Sequence, residues 1–181
     1  MMKLPTKFNL HVGLVRRVRY ATVAVLSVAA LVGTPHKGNA EETKTKTTLV
    51  TLGTQGGPVP NRSRSQPATA IIVNDQPYLI DAGNGVIRQL ILAGIAPNKI
   101  RQIFVTHHHD DHNADLGTFV GFNWSVGVSK PITVFGPKGT GEFVAGFERS
   151  FAINEAIRRA DLPNFFNAVL RDIHQLQEID T

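Results

Sequence analysis

The sequence predicts an α/β fold, because short apolar runs typical of strands alternate with segments of helical periodicity. Residues 70–73 and 78–80 flank an Asn-Asp turn pair and predict a β-hairpin. Residues 84–93 carry apolar side chains at helical spacing before a glycine, and residues 103–105 form another strand-like run. Strand, helix and strand in this order predict a sheet covered by helices.

Further elements are expected on both sides of this unit. A glycine-rich loop at 53–58 follows the first strand, and its backbone N–H groups could approach an anionic substrate or form a plain turn. The apolar-rich segment 143–153 is interpreted either as a helix that covers the sheet or as a wall of a substrate pocket. The additional strands are expected at 48–52, 131–135 and 171–176, and the additional helices at 114–128 and 143–153.

The first 40 residues differ in composition from the rest and are interpreted as a signal peptide. Residues 3–19 contain five basic side chains and no acid, residues 21–32 are almost entirely apolar, and small residues precede Glu41. The apolar run is shorter than the about 20 residues of a membrane span, so membrane contact is expected only through an uncleaved leader. An Arg-Arg pair in the basic region leaves twin-arginine export open. We expect a periplasmic or secreted domain at 41–181.

Removing the leader changes the charge balance of the chain. The whole sequence has 19 Lys and Arg against 14 Asp and Glu, and six of these bases but none of the acids lie within residues 1–40. Residues 41–181 therefore carry a net charge of −1, so the basic isoelectric point is not a nucleic-acid footprint. From this balance we expect nucleic acid not to be a partner.

The most informative motif, His-His-His-Asp-Asp-His, begins at His107 and places four potential metal ligands within six residues. In extended chain, side chains two residues apart point the same way, so His107 and His109 can face one cation while His108 points elsewhere. Asp111 and His112 follow a turn and can face a second cation. Since the chain has no cysteine, imidazole and carboxylate donors must hold the metal, and these donors suit zinc. A surface cluster with incidental metal affinity is the alternative.

Over residues 48–163 the chain resembles the metallo-β-lactamase superfamily, and within it the ribonuclease Z-like and arylsulfatase-like branch. The similar stretches are Val-Thr-Leu-Gly-Thr at 50–54, Leu-Ile-Asp-Ala-Gly at 79–83, the histidine–aspartate motif, and Gly-Pro-Lys-Gly-Thr at 136–140. Only the motif is specific enough to stand alone. Its continuation, Asn-Ala-Asp at 113–115, is nearer the arylsulfatase-like members.

The resemblance implies an αβ/βα sandwich with a dinuclear zinc site at the sheet edge, which hydrolyses its substrate through a metal-activated hydroxide. It implies that His107 and His109 bind one Zn²⁺ while Asp111 and His112 bind the other, with Asp111 also the catalytic proton shuttle. Asp81, at the end of a predicted strand, would orient a metal-bound histidine or the motif loop. Capping of the following helix is the alternative role for Asp81.

The chain departs from the family pattern downstream of the motif. Members complete the site with a further His, a bridging Asp and a final His, whereas only His174 of the seven histidines follows the motif here. It lies in an alternating, strand-like stretch and is interpreted as a surface or packed histidine rather than a ligand. We therefore expect the fold to be truncated to its N-terminal half.

Residues 58–67 combine Arg62 and Arg64 with Ser, Asn and Pro, a composition typical of an exposed loop. These arginines could hold a sulfate or phosphate through paired hydrogen bonds. A solvated loop without a ligand is the simpler interpretation.

Taken together, these features favour an exported zinc-dependent hydrolase acting on a sulfuric or phosphoric ester of a small molecule, with two Zn²⁺ per complete site. Two alternatives stay open, a lactone or lactam hydrolase on the same site and a non-catalytic fragment. Such a fragment would expose an apolar sheet face, so a homo-oligomer is also considered.

Overall fold

The computed structural model describes residues 46–180 except 129 and 167, so the signal peptide predicted at 1–40 lies outside the described residues. The strands are β1 (Thr47–Gly53), β2 (Ala68–Val73), β3 (Gln76–Ile80), β4 (Gln102–Phe104), β5 (Ile132–Gly136) and β6 (His174–Glu178). The helices are α1 (Val86–Leu92), α2 (Asp110–Asn113), α3 (Leu116–Ser125) and α4 (Thr140–Asp161), with 3-10 turns at Pro97–Lys99 and Leu170–Ile173.

The described strands form one mixed sheet in chain order, antiparallel from β1 to β3 and parallel from β3 to β6. The predicted hairpin is confirmed: Asn74 and Asp75 join β2 to β3 with φ of 48° and 65°, a left-handed conformation that these residue types tolerate. Because β3 to β6 run parallel, their carboxyl ends meet at one edge of the sheet. The α/β class is confirmed, and this edge positions the site.

One face of the sheet is covered by helices and holds the main core. Leu79, Ile103 and Val134 are fully buried there against Leu90 of α1 and Phe119 of α3. Complete burial of such a side chain stabilises the fold by roughly 1.5–3 kcal/mol. A second cluster joins α3 to the segment before β6 through Val120, Trp124, Phe166, Leu170 and Ile173.

The opposite face of the sheet carries apolar side chains that are only half-buried. Ile71, Tyr78 and Ile80 alternate with the buried positions of β2 and β3. On the neighbouring strands Phe104 stacks on Phe135, with ring centroids 4.7 Å apart. The described part of the chain is therefore a helical layer on a sheet whose second face is apolar and partly open.

The largest differences between predicted and observed bounds are found at three elements. The helix expected at 114–128 begins only at Leu116, because Asp115 takes a non-helical φ of −100° and ψ of 7°. Helix α4 runs through 143–153 and on to Asp161, and the strand expected at 171–176 begins at His174 after a 3-10 turn. Within residues 46–180, none of the helices has the length and apolar character needed to cross a membrane.

Candidate metal centre

The histidine–aspartate motif lies at the carboxyl edge of the parallel strands, where the chain leaves β4. Residues 105–109 have no regular secondary structure, the backbone of His109 is extended, and the single turn of α2 begins at Asp110. This turn brings His112 back beside His107, and their ring centroids are 4.1 Å apart. The fold thus brings the two ends of the motif together.

His107 and His109 form the first donor pair. Their Nε2 and Nδ1 atoms, respectively, are 3.1 Å apart, as expected for side chains two residues apart on one side of an extended chain. The hydroxyl of Thr106 lies 3.0 Å from Nδ1 of His107 and helps to orient that ring. Two ligands about 2.0–2.1 Å from one tetrahedral zinc lie about 3.3 Å apart, so the spacing of this pair suits a shared cation.

Asp111 and His112 form the second donor pair. The Oδ2 atom of Asp111 lies 3.7 Å from Nε2 of His112. The Asp111 residue is only 5% exposed, and its Oδ2 accepts the backbone N–H of Gly57 at 2.7 Å. The loop after β1 therefore fixes this carboxylate from the other side of the site.

Asp81 links the end of β3 to the motif. Its Oδ1 accepts the backbone N–H of Thr106 at 2.8 Å, and its Oδ2 lies 2.7 Å from Nδ1 of His112. Since a carboxylate accepts hydrogen bonds, Nδ1 of His112 carries the proton and Nε2 keeps its lone pair for a ligand. The left-handed φ of 58° at Asp81 is a conformation that Asp adopts more readily than most residues. Helix α1 has Gly85 at its N-cap without a side-chain cap, so the capping alternative for Asp81 is wrong.

These donors fit a metal as pairs rather than as a complete set. Among the residues that the structure describes, no three His, Asp or Glu side chains are grouped closely enough to hold one metal ion. A catalytic zinc takes three protein ligands and a water, so each pair supplies two of the protein ligands that such a site needs. Metal binding by the motif therefore stays a prediction.

The other two histidines of interest lie away from the donor pairs. His108 points elsewhere, as predicted, with Nε2 3.2 Å from the hydroxyl of Thr140. His174 opens β6 opposite Ile132, at the amino end of the parallel strands, and its Nε2 lies 3.0 Å from a carboxylate oxygen of Glu148. The structure does not bring His174 to the motif.

Several residues that support the site carry little sequence signal. A Cβ at Gly83 would lie 2.3 Å from the backbone oxygen of Asp111, so only glycine lets the end of β3 approach the motif this closely. Buried Gln66 accepts the backbone N–H of Asn84 through Oε1 at 3.2 Å and donates from Nε2 to the carbonyl of Gly57 at 3.4 Å. Only the Asp-Ala-Gly pattern that contains Gly83 could have indicated one of these contacts.

One sequence interpretation changes near the site, and one further side chain supports the motif. The glycine-rich loop places the N–H of Gly57 on the Asp111 carboxylate, so that donor is engaged within the protein rather than free for a substrate. Asp115 precedes α3, and its Oδ2 accepts the backbone N–H of Gly85 at 2.7 Å. Asp115 thereby ties the motif segment to the loop before α1.

Comparison with known proteins shows which family the chain resembles. A sequence model of the metallo-beta-lactamase superfamily matches residues 61–169. Ribonuclease Z of Mycobacterium sp. (strain KMS) is 33% identical over 131 residues, which cover 71% of this chain and 46% of the relative. Ribonuclease Z of Thermococcus onnurineus (strain NA1) is 37% identical over 102 residues, which cover 56% of this chain and 32% of the relative. The predicted resemblance, including its ribonuclease Z-like branch, is confirmed.

Solved structures agree at the level of the fold. The short form of human tRNase Z aligns with a TM-score of 0.57 at 24% identity, covering 74% of this chain and 44% of that one. A long form RNase Z from yeast aligns with a TM-score of 0.54 at 16% identity, covering 79% of this chain and 19% of that one. The chain thus spans about half the length, or less, of the relatives it matches.

These relatives overturn the expectation that nucleic acid is not a partner. That expectation rested on the net charge of −1 for residues 41–181, whereas the relatives are named as ribonucleases. It was wrong because net charge averages over the whole surface, while a polyanion responds to the local arrangement of charges.

Proposed function

Because the chain belongs to the metallo-beta-lactamase superfamily, we propose that its histidine–aspartate motif is the metal site of a hydrolase that cleaves RNA phosphodiesters. The observation that carries this proposal is the convergence of the two donor pairs, with nitrogen atoms 3.1 Å apart in one and Asp111 Oδ2 3.7 Å from His112 Nε2 in the other. The chain covers 46% of the length of the Mycobacterium ribonuclease Z. Ribonuclease activity is therefore a proposal for this chain.

The metal we assign is zinc. His107 and His109 would hold one ion and Asp111 and His112 a second, all through the nitrogen and oxygen donors that a chain without cysteine can offer. When bound, zinc acts as a Lewis acid that polarises a phosphoryl oxygen and makes water a stronger acid near neutral pH.

The side chains around the pairs position the ligands and move protons. Asp81 Oδ2 lies 2.7 Å from Nδ1 of His112 and accepts its hydrogen bond, which fixes the ring with Nε2 toward Asp111. Gly57 holds Oδ2 of Asp111 at 2.7 Å, so the carboxylate stays in place while it accepts and returns a proton. We assign this proton transfer to Asp111.

Phosphoric esters are favoured over the other substrate classes. The relatives that share the motif segment are named as ribonucleases, which supports a phosphodiester over a sulfuric ester. Lactone or lactam hydrolysis on the same site is the second class that an activity screen must separate. Likeness to arylsulfatase-like members, inferred from residues 113–115, has no support beyond the sequence.

Export remains part of the proposal and concerns residues outside those described. The basic and apolar segments of residues 1–40 support a signal peptide that is removed to leave 41–181 in the periplasm or outside the cell. Amino-terminal sequencing of the protein recovered from the host should begin at Glu41. Recovery from the cytoplasm with Met1 or Met2 at its start would contradict export.

A side-by-side assay of the full chain tests the activity. Bis-p-nitrophenyl phosphate, p-nitrophenyl sulfate, a lactone, a β-lactam and a labelled precursor RNA are incubated with zinc-loaded protein and with protein treated with a chelator. We expect zinc-dependent hydrolysis of the phosphodiester and the RNA, lost in His107→Ala and kept in Asp110→Asn, because Asp110 is exposed and belongs to neither pair. Hydrolysis of only the sulfate, lactone or lactam, or phosphodiester cleavage that survives metal removal, would contradict the proposal.

A further inference from the structure

A cavity of about 220 Å³ lies between the loop after β1 and helix α1. Three arginines line it, Arg62 and Arg64 from the loop and Arg88 from the helix. All ten lining residues are described, and none is acidic. The cavity is therefore positively charged, although residues 41–181 carry a net charge of −1.

The walls of this arginine pocket are held together by hydrogen bonds. The amide of Gln89 on α1 donates to the hydroxyl of Ser65 at 2.9 Å. Within the loop, Oδ1 of Asn61 accepts the backbone N–H of Ser63 at 2.8 Å and its hydroxyl at 2.6 Å. The backbone is thus fixed at both ends of the pocket, while the exposed arginine side chains can adjust to a ligand.

The three guanidinium groups are available for an external anion. The ion pairs found among residues 46–180 involve none of them. The acid nearest in the hydrogen-bond network is Asp115, and its two oxygens accept the side-chain amide of Asn84 at 3.4 Å and the N–H of Gly85 at 2.7 Å. Since guanidinium groups pair with phosphate oxygens through parallel hydrogen bonds, phosphate is the anion that suits the pocket.

Two hydrogen bonds connect the pocket to the metal motif. Gln66 lines the pocket, and its side-chain amide donates to the carbonyl of Gly57 at 3.4 Å. The N–H of Gly57 in turn donates to Asp111 at 2.7 Å. The loop after β1 would therefore connect a phosphate in the pocket to the donor pairs.

We propose that the arginine pocket binds a backbone phosphate of the RNA strand, next to the phosphodiester held at the histidine–aspartate motif. This inference rests on the proposed function, because it takes RNA as the substrate. The pocket explains how a domain with a net charge of −1 over residues 41–181 can bind a polyanion. Its three arginines concentrate positive charge beside the motif, where the RNA strand must pass.

Binding of a fluorescein-labelled single-stranded RNA to the full chain, followed by anisotropy in the presence of a chelator, tests the pocket apart from hydrolysis. The test variant is Arg62→Gln, Arg64→Gln, Arg88→Gln. The matched control is Lys99→Gln, Arg149→Gln, Arg171→Gln, which removes the same charge from exposed positions that do not line the pocket. Thermal unfolding of all three proteins checks that they are folded.

The pocket variant should bind RNA about tenfold or more weakly than the control near 0.1 M salt. Its slope of log affinity against log salt should be smaller in magnitude by about 0.7, since the pocket holds one phosphate and each phosphate contact on a single strand contributes about 0.7. Equal affinities and slopes for the two variants would overturn the proposal. Absence of RNA binding by the wild-type chain would also overturn it. If that same protein still hydrolysed bis-p-nitrophenyl phosphate in a zinc-dependent way, hydrolysis of phosphodiesters would stand and only the role of the pocket would be rejected.

Discussion

The donor pairs and the arginine pocket lie on either side of the loop after β1, and they are built in opposite ways. Asp81 and Asp111 are 6% and 5% exposed and accept short hydrogen bonds from the backbone or from His112. The guanidinium groups of the pocket are exposed and unpaired among the described residues. Fixed geometry is what a metal site requires, whereas a chain of phosphates can be bound by adjustable charges.

This difference predicts unequal sensitivity to substitution. At the donor pairs one atom in the wrong place disturbs several hydrogen bonds at once, so single changes should have large effects. In the pocket three exposed arginines face one phosphate, so two remain when one is replaced and a single change should have a small effect. The substitutions below test this contrast, beginning with the largest expected effect.

Gly83→Ala should have the largest effect, on both stability and metal binding. The new Cβ would lie 2.3 Å from the backbone oxygen of Asp111 and 2.8 Å from the carbonyl of Pro67, so the motif or the strand end must move. We expect a loss of roughly 1–3 kcal/mol in the free energy of unfolding, measured by urea denaturation, together with weaker zinc binding. Gly56→Ala is the matched control, because a Cβ there meets nothing within 4 Å. Equal stability of the two variants would contradict the close approach.

Asp81→Asn should weaken zinc binding while the chain stays folded. Asparagine tolerates the left-handed φ of 58° at this position, but its amide replaces one of the two oxygens that hold Thr106 and His112. We expect zinc affinity to fall about 10- to 100-fold, measured by competition with a chromophoric chelator. Asp110→Asn removes a neighbouring exposed carboxylate and should leave the affinity unchanged. A similar loss in both variants would show that charge, rather than the orientation of His112, controls the affinity.

Arg88→Gln should have the smallest effect of the three substitutions. It removes one of the three cations of the pocket and leaves two for the same phosphate, so RNA affinity should fall only a few-fold and the salt slope by less than about 0.7, measured by anisotropy. Zinc binding should be unchanged, because Arg88 belongs to neither donor pair. A loss of zinc in this variant would show that the pocket and the metal site are not separable.

Much of the motif itself could be predicted from the sequence. The alternation of an extended chain places His107 and His109 on one side and sends His108 elsewhere, and these placements are seen. The end of a buried strand likewise indicated Asp81 as a contact of the motif. These predictions succeed because they depend on residues close in sequence or on the common edge of parallel strands.

Contacts that join distant segments could not be read from the sequence. Gly57 and Asp111 are 54 residues apart, and nothing in a glycine-rich loop indicates which carboxylate its N–H will reach. The third arginine of the pocket was missed for the same reason, since Arg88 enters from a helix 24 residues after Arg64. The net charge gave no indication of this pocket, because acidic residues elsewhere in the chain offset its three arginines in the sum.

Helix bounds show a similar limit. Apolar spacing indicated a helix across 143–153, but α4 continues to Asp161 past the last strongly apolar-rich turns. Conversely, the helix expected at 114 begins at Leu116 because the Asp115 carboxylate is engaged by Gly85. Both differences come from tertiary contacts or chain continuity that local patterns do not contain.

Zinc bound per chain is the measurement that tests the central claim most directly. It is made by elemental analysis on the full wild-type chain, on the His107→Ala, His109→Ala variant and on a His108→Ala, Asp110→Asn control that leaves both donor pairs intact. We expect stoichiometric zinc in the wild type and the control, and a clear loss in the variant. Little zinc in the wild type, or equal zinc in the variant and the control, would contradict a metal site at this motif.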